Sequence, residues 1–138
     1  MPTDDSEILA ANQAFYDAFT RADLATIEEL WASLTPVACI HPGWDALHGR
    51  EDVLESFRAI LGGGSGPRVT CVNPAATLIG ETAFVVCHEA IDDAQLVATN
   101  VFVREDGRWK LVHHQAGQMS ARRPATRPRK PVDRGLLN

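Results

Sequence analysis

The chain has 138 residues, 45% apolar and 22% charged, which suits one folded core and excludes collagen-like and wholly disordered classes. Its net charge of -5 divides unevenly: residues 1–119 hold 17 acids and 7 Lys or Arg (-10), and 120–138 hold 6 basic residues and one acid (+5). An acidic body is unsuited to binding nucleic acid, and from acids at the N-terminus and no apolar run of ~18 residues neither a secretory signal nor a membrane partner is expected.

The expected organisation is one domain over 1–119 and a basic Pro/Arg-rich tail over 120–138. Asp4 and Glu7 have capping-box spacing, and Ile8, Ala11, Phe15, Ala18 and Phe19 follow at helical steps, so a first helix runs to near Arg21. Asp23 caps a second helix with an apolar stripe of Leu24, Ile27, Leu30 and Trp31. Pro36 ends it and opens an extended run, Val37 to Ile40. A loop with His41-Pro42-Gly43-Trp44 precedes a third helix that starts after Gly49, buries Val53, Leu54, Phe57, Ile60 and Leu61, and stops at Gly62-Gly63-Gly64.

From Pro67 the period becomes strand-like, with turns at Gly80-Glu81, Asp92-Asp93 and Asp106-Gly107. These delimit four antiparallel strands, 68–79, 82–91, 95–105 and 108–118. Helices followed by a meander give an α+β fold, with the helices' apolar faces against one side of the sheet. The strands are apolar on both faces, so a second copy covering the outer face, a homodimer, is expected. Cys39, Cys71 and Cys87 lack C-x-x-C spacing and read as reduced, buried and inert thiols of a cytoplasmic protein.

A resemblance adds to this. Ala22-Asp23-Leu24 with Ile27, Leu30 and Trp31, Gly49 before a helix, Thr99-Asn100-Val101-Phe102, and Asp106-Gly107-Arg108-Trp109 with Val112-His113-His114 together resemble the SnoaL-like branch of the nuclear transport factor 2-like superfamily, over residues 5–118. Arg108 to His114 also resembles the association domain of calcium/calmodulin-dependent kinase II. The resemblance implies a cystatin-like cone: a curved antiparallel sheet, three N-terminal helices on its concave face, a pocket at the open end, and commonly a dimer. Relatives include ketosteroid isomerase, scytalone dehydratase, polyketide cyclases, epoxide hydrolases and domains that only bind, so the fold does not deliver the function.

The steroid-isomerase positions hold Phe15, Cys39 or His41, and Asn100, so that constellation is absent. The kinase domain's pocket arginines fall on Ala90, Asn100 and Ala116, which removes cationic partners and implies a neutral or weakly polar ligand. Which histidine shares a face with Asn100 depends on one turn. A two-residue hairpin at Asp106-Gly107 pairs Asn100 with His113; a three-residue loop from Glu105 pairs it with Val112 and puts His114 on its face. The family parity favours the loop, and on that parity His88 and Ala90 point inward and Glu89 outward.

The expected pocket is therefore aromatic, with Phe15, Phe19, Trp31, Trp44 and Phe102 as ligand-binding walls and His41, His88, Asn100 and His114 as the groups for chemistry. Phe15, Phe19 and Trp31 at helical spacing serve equally as core. No metal or other cofactor is expected: the histidines lack H-E-x-x-H spacing, and Gly62 to Gly66 precedes a strand, which excludes a phosphate loop and a nucleophile elbow. Three readings follow: a small-molecule-binding pocket, a dehydratase or isomerase with a pocket histidine as general acid/base and Asn100 polarising a carbonyl, and a dimeric assembly module with a vestigial pocket.

Overall fold

The computed structural model describes residues 3–64 and 67–120; the expected basic tail lies outside them. Helix α1 is Asp4–Thr20, and its N-cap is Thr3 rather than Asp4, the Thr3 hydroxyl accepting from the Ser6 N–H at 3.1 Å. Helix α2 is Leu24–Leu30, capped as expected by Asp23, whose carboxylate accepts from the Thr26 N–H and hydroxyl. Helix α3 is Arg50–Leu61. Arg50 donates to the carbonyls of Glu28, Trp31 and Ala32, so the orphan acceptors ending α2 are satisfied by the start of α3.

Six strands form one sheet: β1 (Ala38–Ile40), β2 (Leu47–His48), β3 (Val69–Ile79), β4 (Thr82–Ile91), β5 (Ala94–Glu105) and β6 (Arg108–Gln118), in the order β2-β1-β6-β5-β4-β3. The long strands lie within a residue of their expected bounds; β2 was not foreseen. The sheet is mixed rather than wholly antiparallel, because β1 runs parallel to β6, with Cys39 beside His114. The chain leaving α2 reaches that edge through Ala32, whose N–H donates to the Leu111 carbonyl. Pro74 sits at a bulge in β3, an edge strand, where a missing N–H costs no ladder bond.

The helices bury Ile8, Phe15, Ile27, Val53 and Phe57 against Val85, Ala98, Phe102 and Leu111 of the sheet. Two registers decide which side chains join them. The last hairpin is the two-residue form, Glu105 opposite Arg108, with Asp106 and Gly107 both at positive φ; the expected three-residue loop is not there. Left alone, this turn would set His113 opposite Asn100. A bulge corrects it: Phe102 faces Leu111 but Val101 faces His113, so Val112 is the extra residue and His114 stands opposite Asn100. His114 thus shares the face of Asn100, as expected, but as its direct partner and through a bulge instead of a longer turn.

The second register overturns an expectation outright. Ile91 pairs with Ala94 across Asp92-Asp93, and the unbroken ladder pairs Asn100 with Val85 and Leu96 with Glu89. With side chains alternating, Val85, Cys87 and Glu89 share Asn100's inner face, whereas His88 and Ala90 lie on the outer one. The outer face exposes Val86 (41%) and Val97 (42%).

Candidate functional site

A cavity of about 260 Å³ opens between α1, the loop after β1, α3 and the inner face of the sheet. Phe15, Tyr16 and Phe19 form one wall, Pro42, Trp44 and Ile60 another, and Pro67, Val69 and Ile91 the rim. The polar side chains reaching it are His41, Glu89 and His114. The volume is just under the ~300 to 1,000 Å³ of drug-sized sites.

Behind the wall is a hydrogen-bonded chain that begins and ends at the cavity. His114 Nδ1–H donates to Asn100 Oδ1 at 2.5 Å. Asn100 Nδ2 donates to the Tyr16 hydroxyl at 3.0 Å and to Asn12 Oδ1 at 2.8 Å. Tyr16 in turn donates to Glu89 Oε2 at 2.7 Å. Glu89 Oε2 then returns to within 3.8 Å of His114 Nε2, too far for a hydrogen bond, so the ring is open at one place.

Burial sets the charge states. Desolvation pulls His114 down to about 3, helped by His41 and His113, so its imidazole is neutral and its contact with Glu89 is not an ion pair. Desolvation also raises Glu89, an effect partly offset by the Tyr16 hydrogen bond. Tyr16 is raised by its own burial and then by Glu89, which keeps its hydroxyl a donor.

His41 is built on the same plan from another element. Its Nε2 lies 2.8 Å from Ser56 Oγ, and that hydroxyl donates to the Val53 carbonyl, so Nε2 is the donor. The ring packs edge-on to Trp44 and Phe57, and desolvation lowers it to about 4. Trp44, 45% exposed, forms the lip of the cavity on a turn where Gly43 has φ 82°.

The expected site residues divide accordingly. Phe15, Phe19, His41, Trp44 and His114 come together around the cavity. Trp31 and Phe102 are core side chains, Trp31 packing on Phe57, and neither lines it. Asn100 is fully buried with its amide committed, so it positions His114 and Tyr16 instead of meeting a ligand. His88 lies on the other face of the sheet, so His41, His88 and His114 do not converge. Among the described residues no group of three or more His, Cys, Asp or Glu is arranged to hold a metal ion.

The model of the SnoaL-like domain family matches residues 8–120. The chain belongs to that family. Among solved structures, this SnoaL-like domain is 33% identical to a Streptomyces avermitilis protein of the nuclear transport factor 2-like family provisionally described as a dehydratase, with a TM-score of 0.79 over 86% of this chain and 97% of that one. It is 28% identical to a Thiobacillus denitrificans protein provisionally described as a calcium/calmodulin-dependent protein kinase type II association domain, with a TM-score of 0.71 over 81% and 94% of the chains. A curated relative, the F-box protein SKIP8 of Arabidopsis thaliana, is 25% identical over 114 residues, 81% of this chain. The chain spans about half (49%) of that relative's length.

Sequence reasoning missed Tyr16, Glu89 and Asn12 in this SnoaL-like domain. Asn12 and Tyr16 are one helical turn apart beside the apolar stripe, and a lone tyrosine above a polar residue at i-4 was the available signal. Glu89 was legible too: the two-residue turn at Asp92-Asp93, counted strictly, sets Glu89 on the face of Asn100.

Proposed function

We propose that this SnoaL-like domain is a cofactor-independent acid/base enzyme of the lyase or isomerase type, acting on a small, largely apolar molecule. The observation that carries this reading is the open gap between Glu89 and His114 at the wall of an aromatic cavity. A neutral imidazole and a carboxyl whose pKa burial has raised are two proton acceptors poised side by side. A proton lost from a substrate carbon next to a carbonyl enters the gap, and the electron pair of the broken C–H bond moves toward the carbonyl. The same pair then returns the proton, to another carbon in an isomerisation or to a departing hydroxyl, released as water, in an elimination. Asn100 and Tyr16 hold the pair in place and touch no substrate.

The similarity to a protein described as a dehydratase agrees with this chemistry, and a simple binding pocket uses the same cavity without proton transfer. A vestigial pocket fits less well, since Trp31 is in the core and Trp44 is at the lip. The domain acts as a homodimer joined through the outer face around Val86 and Val97, in the cytoplasm, where free Cys39, Cys71 and Cys87 stay reduced. Nuclear magnetic resonance in heavy water tests the reading: a panel of small ketones and β-hydroxy ketones is followed for exchange of α-hydrogens and loss of water. Exchange no faster than with the Glu89→Gln variant sinks the enzyme and leaves a binding pocket.

A further inference from the structure

Each polar group at the cavity has its hydrogen turned away from it. His114 spends its N–H on Asn100, which leaves Nε2 as a bare lone pair beside the cavity. His41 spends its N–H on Ser56, itself held by the Val53 carbonyl, so Nδ1 is the unprotonated nitrogen and has no protein partner among the described residues. Glu89 Oε2 already accepts from Tyr16, and Tyr16's only hydroxyl hydrogen is used in doing so. At its inner wall the lining thus offers acceptors at three places, its one uncommitted side-chain donor among the described residues being the Trp44 indole at the lip, with no Lys or Arg among those residues. The arrangement is fixed from behind, because each tautomer is set by a buried partner rather than by solvent.

From this we infer that the ligand is an uncharged molecule recognised through hydroxyl hydrogens that it donates to His114, Glu89 and His41, and that carboxylates are rejected. The inference rests on the same cavity as the acid/base reading and gives its substrate a chemical class. A hydroxyl in the Glu89–His114 gap supplies the hydrogen bond that those groups cannot make to each other at 3.8 Å. An ether oxygen there meets only lone pairs, and a buried acceptor facing acceptors loses the bond it had in water. A carboxylate loses its hydration to the aromatic wall and meets no Lys or Arg among the described lining residues. A protonated amine has the hydrogens but loses its hydration to a wall of Phe15, Phe19 and Trp44, with one carboxyl whose ionised form the site disfavours.

The test titrates the full chain at neutral pH with phenol, anisole, benzoate and benzylamine, which share a ring and differ in the polar group. Binding is read by NMR, with the imidazole nitrogen shifts of His41 and His114 recorded in the same samples. Phenol is expected to bind about tenfold more tightly than each of the others, equivalent to about 1.4 kcal/mol, and to move the His114 signals. The shifts are expected to report hydrogen on Nδ1 of His114 and on Nε2 of His41. Anisole binding as well as phenol, benzoate or benzylamine binding best, no binding by any of the four, or the reverse tautomers would each overturn the inference. Failure of the acid/base reading looks different: phenol keeps its advantage while ketone hydrogen exchange stays at the level of the Glu89→Gln variant.

Discussion

Glu89 and His114 approach each other to 3.8 Å at the inner wall of the cone, each an acceptor with no hydrogen for the other. Two residues, Asn100 and Tyr16, link them by the longer route around.

Glu89→Gln should remove the cost of burying a carboxylate while keeping an amide oxygen to accept from Tyr16. We expect stability to rise by about 1 kcal/mol or more, a thermal midpoint about 3 to 5 °C higher, together with loss of proton exchange. Calorimetry on the wild type and variant checks the sign; a large fall in midpoint would show that the carboxylate supports the fold.

The two histidines make stability sensitive to acid. Their folded values, about 4 for His41 and about 3 for His114, lie below the usual 6.5, so the unfolded chain binds protons that the folded chain refuses. The stability this gives is present above pH 6.5 and is lost as pH falls toward those values, at up to about 1.4 kcal/mol per pH unit for each. Glu89, raised above 4.5, works in the opposite sense and softens the lower part of the window. Urea midpoints measured across pH 4.5 to 6.5 should fall with acid, and the His41→Gln, His114→Gln double variant should flatten the slope.

Tyr16→Phe removes the donor to Glu89 and an acceptor for Asn100 Nδ2. The loss of a buried hydroxyl between them should cost about 1 to 3 kcal/mol. Without the hydrogen bond that lowers it, Glu89 should titrate at higher pH, so the acidic limb of the pH–rate profile moves upward. An unmoved limb would separate Glu89 from the chemistry.

Trp44→Ala should leave the core untouched, since Trp44 is 45% exposed and meets His41 edge-on at 4.9 Å. Aromatic contacts of this kind are worth about 0.5 to 1.5 kcal/mol, so ligand affinity should fall roughly 2- to 10-fold with little change in melting.

Val86→Lys reports on assembly. Val86 projects from the outer face and pairs with Thr99, so a lysine there is solvated in a monomer and buried in a dimer joined through that face. Native mass spectrometry should show the dimer of the wild type and the monomer of the variant; a variant that stays dimeric moves the interface elsewhere.

The amino-acid pattern alone settled the elements: period changes and turn residues located three helices and four long strands, because burial of one face and cheap positive φ at Gly107 are local physics. It also pointed to His41, Trp44, His114, Phe15 and Phe19, which the fold brings to one cavity. What it did not contain is the extra residue at Val112, whose bulge is a compromise between the two-residue turn and the packing of Leu111, and which alone decides that His114 faces Asn100. Nor did it show that Tyr16, one position off the expected stripe, would reach across from α1 to bind Glu89. Those choices belong to tertiary structure, because a buried carboxyl or amide points wherever its hydrogen-bond partners are, and the partners come from elements distant in the chain.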